Sequence, residues 1–68
     1  MAIGEGKLAR SARRVRDRVN ETASLGRQGR WDEAEASARL AVAAARDLHA
    51  MTVYHAGLAA VSEQEQER

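Results

Sequence analysis

Gly29-Arg30-Trp31-Asp32-Glu33-Ala34-Glu35 decides the fold. Glycine takes the left-handed conformation that closes a helix without the steric cost other residues incur, so Gly29 reads as a helix end. Asp32 reads as the N-cap of a new helix, its carboxylate accepting from the free N–H groups of the first turn. Glu35 follows at the spacing of a capping box, and Asp32, Glu33 and Glu35 set negative charge at the positive end of a helix dipole. Trp31, just before that cap, predicts a hydrophobic staple with Ala36 or a plug for the corner, with an exposed partner anchor as the other reading of the indole. The stretch is thus a corner between two helices.

Upstream, Gly4 and Gly6 predict a flexible segment over residues 1–6, and helical periodicity runs over about residues 7–28. Leu8, Ala12, Val15, Val19, Thr22 or Ala23, and Gly26 recur at spacings of four and three, a narrow seam for one partner helix. Around it stand arginines, with ion pairs expected from Asp17 to Arg13 or Arg14 and from Glu21 to Arg18. Residues 1–30 hold eight basic and three acidic side chains, whereas residues 31–68 hold three and seven. An antiparallel fold therefore sets a basic helix against an acidic one. Arg10, Arg13, Arg14 and Arg18 are the candidate contacts for a polyanion, although interleaved acids and the scarcity of aromatics weigh against nucleic acid.

Downstream, helical pattern extends over about residues 32–64, with a polar, fraying tail at 63–68. The first helix would be about 33 Å long and the second about 50 Å, so a hairpin leaves the end of the second uncovered. That helix is apolar around most of its circumference. Ala34, Ala38, Ala41, Ala45, Thr52, Ala56 and Ala59 form a small-residue stripe; Leu40, Ala44, Leu48, Met51, His55 and Leu58 form a bulkier one; Val42, His49, Val53 and Ala60 lie beyond. A helix of this kind has neighbours on several sides. The expected fold is all-α, an antiparallel hairpin that dimerises into a four-helix bundle, with the bulkier stripe as the partner or oligomer interface. The alternative is a three-helix bundle with a bend near Leu48–Ala50, where no glycine or proline breaks the pattern.

Gly29-Arg30-Trp31-Asp32-Glu33-Ala34, with Ala41 seven residues after Ala34, resembles the middle of a tetratricopeptide repeat over about twenty residues. The resemblance implies two antiparallel helices joined at a glycine corner, small alanines where they touch, and a protein-interaction role. Tyr54-His55-Ala56-Gly57-Leu58-Ala59 is similar to the first helix of a following repeat, which would favour the three-helix arrangement.

Composition narrows function by what it withholds. In 68 residues there is no cysteine, no proline, one Trp and one Tyr. A chain this short rarely supplies more than about 3–5 kcal/mol from its own core, and alanine buries little area, so association with a second copy or a client protein is the expected remedy. His49 and His55, six apart, point about 120° from each other on a helix and do not form the i, i+4 pair that holds a metal. His55 on the bulkier stripe suggests a contact with its own mate that weakens as imidazole charges below about pH 6.5. There is no Glu-x-x-His pair, no serine with histidine at local spacing, and Gly4-Glu5-Gly6-Lys7 lacks the strand and spacing of a phosphate loop. Neither an enzyme nor a cofactor or metal site is expected. No apolar run suits a signal peptide or a membrane span, which makes the cytoplasm the expected location. The expected function is a protein-interaction module or small accessory subunit; a nucleic-acid-binding regulator using the arginine face is the alternative.

Overall fold

The computed structural model describes residues 3–66, which form two α-helices, α1 (Ile3–Arg27) and α2 (Trp31–Gln66), with no strand among them. The helices pack antiparallel: Thr22 bonds across to Ser37 near the corner, and Ser11 lies beside Met51 towards the open end. α1 begins a turn earlier than the expected Lys7. Glycine inside a helix costs about 1 kcal/mol relative to alanine but does not forbid it, and Arg10 Nε donates to the Gly6 carbonyl at 3.4 Å. The expected flexible segment is therefore helical from Ile3, and residues 1–2 lie outside the described residues, as do 67–68 of the polar tail.

The corner is a Schellman motif. The Arg30 N–H donates to the Leu25 carbonyl and the Gly29 N–H to the Gly26 carbonyl, both at 3.0 Å, with Gly29 at φ 74°. This satisfies carbonyls that the end of α1 would otherwise leave free. The same short connector starts α2 one residue earlier than expected. The Ala34 N–H donates to the Arg30 carbonyl at 2.9 Å, so Arg30 occupies the cap and Asp32 falls inside the first turn. The capping box predicted from Asp32 and Glu35 does not form. Glu35 Oε1 instead accepts from Arg39 Nε at 2.7 Å, and the Arg30 guanidinium reaches forward to the Glu33 carboxylate and back to Gln28 Oε1. Asp32 and Glu33 still face the positive end of the dipole. The Trp31 indole folds back over Gly26 rather than forward as a staple on Ala36: a Cβ placed on Gly26 would lie 3.4 Å from Trp31 Cζ3. The ring caps the corner with one edge and is otherwise 70% exposed.

The helices meet along two matched seams. Ser11, Val15, Arg18, Thr22 and Leu25 of α1 are half-buried, at spacings of four and three. Opposite them run Ala34, Ser37, Ala41, Ala44, Leu48 and Met51, at spacings of three and four. That is the repeat of an antiparallel pair of helices with small residues at the contact. Among the described residues only Ala34, Ser37 and Ala44 are buried. Within α1 the expected stripe is displaced: Val15, Thr22 and Gly26 lie in the seam, whereas Leu8, Ala12, Val19 and Ala23 flank it and are exposed. Arg18 pairs with Glu21 as expected, but Asp17 pairs with Arg16, and both contacts are on the open surface where such pairs contribute little.

α2 runs through Leu48–Ala50 without a bend, so no third helix folds back. With 36 residues against 25, it outruns α1 by about 16 Å, and every residue from Thr52 to Gln66 is exposed. The molecule is a single layer, 59 × 19 × 12 Å, with a radius of gyration of 16.7 Å where a compact domain of this length has about 11 Å.

Candidate interaction surfaces

A two-helix layer has two broad faces and two edges. On one face Val19, Thr22 and Ala23 of α1 and Ala38, Ala41 and Val42 of α2 line a shallow, almost wholly apolar groove. The other face is charged. Arg14 lies about 140° around α1 from Val19, and Met51 about half a turn around α2 from Val42. There Lys7, Arg10, Ser11 and Arg14 line a crevice with Asp47 and Met51. Arg10, Arg13, Arg14 and Arg18, the candidate polyanion contacts, line one depression on α1 together with Asp17 and Glu21. The two acids sit among the arginines, so the surface is mixed rather than uniformly positive. Arg18 is the least available of the four: it is half-buried, its guanidinium is held 3.5 Å from Glu21, and its carbonyl accepts from the seam.

The six residues expected at a partner or oligomer interface divide into two groups. Ala44 is buried between α1 and α2, and Leu48 and Met51 are half-buried there. Leu40 and Leu58, 48% and 50% exposed, remain on the surface, as does His55, whose ring stands edge-on to Tyr54 at 5.4 Å. The stripe is shared in this way because α2 is apolar on several sides, and α1 settles on the side where the smallest side chains allow closest approach.

A polar knot at the corner end of the seam has no counterpart in the sequence reading. Thr22 Oγ1 is 2.9 Å from the Arg18 carbonyl and 2.9 Å from Ser37 Oγ, and Ser37 Oγ is 3.4 Å from the same carbonyl. Each hydroxyl has one proton. The arrangement with two short bonds has Thr22 donating to Arg18 and Ser37 donating to Thr22. Ser37 is thereby satisfied at 3% exposure, and no buried side-chain nitrogen or oxygen among the described residues lacks a partner. Hydropathy gives no hint of this knot; the heptad spacing of Thr22 and Ser37 with their small neighbours was the available signal.

Among the described residues no three His, Asp or Glu side chains converge as metal ligands, and no helix is long and apolar enough to cross a membrane. Comparison with protein-family models, with curated proteins and with solved structures finds no match to this chain. The surfaces themselves therefore carry the functional reading.

Proposed function

We propose that this hairpin is a non-catalytic protein–protein interaction module, a small accessory subunit that works by helix–helix association with a second copy and a client protein. One observation carries the reading: apolar side chains are outside and almost none are inside. Among the described residues the only buried apolar ones are Ala34 and Ala44, whereas nine large ones, from Leu8 to Val61, are exposed. The accessible surface of 5605 Å² is roughly 1,400 Å² above the ~4,200 Å² of a compact monomer of this mass. That excess surpasses the ~800 Å² per partner of a standard protein interface. A lone hairpin with so small a core lacks the apolar burial to offset the ordering of its backbone.

The test is unfolding at several protein concentrations. An associating chain gains about 1.4 kcal/mol of apparent stability for each tenfold rise in concentration, so its thermal midpoint climbs. Cooperative unfolding at one midpoint across a hundredfold range refutes the reading.

The gathering of Arg10, Arg13, Arg14 and Arg18 in one depression favours a second reading, a nucleic-acid-binding regulator. Its signature would be affinity for random-sequence DNA that falls steeply with salt, weakened by changing these arginines to glutamine. The acids in the depression support the first reading, under which low-salt binding to DNA is absent.

A further inference from the structure

We infer that α2 carries a second heptad seam on the side away from α1, and that its occupant is the same seam of a second copy running antiparallel. This rests on the association reading above and specifies its geometry. The seam starts at Ala36 and Leu40, passes through Ala43, Asp47, Ala50 and Tyr54, and ends at Gly57 and Val61, at alternating spacings of four and three. All of these residues are exposed in the hairpin. At 100° per residue this line lies about 120° around α2 from the seam that packs on α1, so both are occupied together.

Small and larger residues alternate along it, and the alternation selects the pairing. A parallel pair would set like on like: Leu40, Asp47 and Tyr54 each against its own mate, and Ala43, Ala50 and Gly57 against theirs, with crowded and empty layers in turn and two carboxylates face to face. An antiparallel pair centred between Leu48 and His49 sets large on small in every layer. Ala36 meets Val61 of the second copy, Leu40 meets Gly57, Ala43 meets Tyr54, and Asp47 meets Ala50. The layers then have even width, which one interaxial distance requires. Flanking Arg46 and Arg39 come opposite Val53 and Ala60 rather than opposite charge of their own sign. Asp47, the one charged residue in the seam, borders the crevice lined by Lys7, Arg10 and Arg14 of its own α1. The arrangement also covers the overhang of α2, whose Tyr54, Gly57 and Val61 lie on the N-terminal half of the partner helix.

The chain has no cysteine, which makes the register directly measurable. Leu40→Cys and Gly57→Cys are prepared separately, mixed, and treated with a short bis-maleimide. The mixture is expected to give covalent dimer and each variant alone little. Within one chain the two positions are about 26 Å apart along α2, out of linking range. A companion measurement uses Gly57→Leu. The hairpin has nothing within 4 Å of a Cβ at Gly57, so this change leaves the hairpin unstrained and favours helix. Association is expected to weaken at least tenfold, and the reciprocal Leu40→Ala/Gly57→Leu variant is expected to restore it. Linking of either cysteine variant with itself would establish a parallel pair and overturn the inference. A dimer by light scattering in which the mixture fails to link overturns this seam but leaves the association reading standing. A monomer at every concentration overturns self-association altogether.

Discussion

Replacing Thr22 by valine and Ser37 by alanine, singly and together, tests the polar knot of the seam, because the two hydroxyls have unequal duties. Thr22 is the acceptor for Ser37 and donates at 2.9 Å to the Arg18 carbonyl. In Thr22→Val the shape is kept, but Ser37 loses its near partner and is left with a carbonyl at 3.4 Å, the outer limit of a useful bond. A buried, poorly satisfied hydroxyl costs about 1–3 kcal/mol, and the residual long contact puts this case at about 1–2. In Ser37→Ala, Thr22 still donates to Arg18, so no donor is orphaned. One neutral bond worth about 1 kcal/mol goes, and the better helix propensity of alanine returns up to about 0.7, leaving a net cost of about 0.5 or less. With both hydroxyls removed nothing polar is stranded, and the double variant is expected to cost less than Thr22→Val alone. Urea titrations followed by far-UV circular dichroism at one protein concentration give the three midpoints. The reasoning is refuted if Ser37→Ala costs more than Thr22→Val, or if the two costs simply add.

Gly29→Ala isolates the backbone term at the corner. An added Cβ meets nothing within 4 Å, but φ of 74° costs an alanine about 1–2 kcal/mol, expected as a fall of several degrees in the thermal midpoint. Gly26→Ala carries the opposite sign. The new methyl makes ordinary contact with the Trp31 ring and gains about 1 kcal/mol of helix propensity, so stability rises; a loss, with altered Trp31 fluorescence, would show that the indole cannot accommodate it.

The hairpin was legible in the sequence because the signals for it are local. The absence of proline, the helix-forming composition and Gly29 place two helices and their corner within a few residues of where they lie. α2 starts one residue before the position Asp32 predicts, because connector length outranks a good capping side chain. In a three-residue link, the residue that completes the Schellman motif must also begin the next helix. The phase of the seam was the harder matter. Hydropathy ranks Leu8 and Val19 above Ser11 and Thr22, yet near the corner the contact sets the small Thr22 and Ser37 together. On α2, alanine lies on nearly every side, and no single direction stands out until α1 occupies one. Leu40 and Leu48 look alike on a helical wheel of α2 taken alone; only the presence of α1 makes one exposed and the other half-buried.

The Schellman corner has a consequence for the order in which the molecule opens. Because the helices diverge in sequence from Gly29, the Thr22–Ser37 layer closes a short loop, whereas the layer at Ser11 and Met51 spans a much longer one. Entropy of closure grows with loop length, so each layer is cheaper once the one nearer the corner has formed. Such a chain zips outward from Gly29, and amide exchange is expected to be slowest beside the corner and progressively faster towards Ile3 and along the overhang to Gln66. The residues farthest from the corner are thus the last to be held by their own chain and the first to be free to meet another.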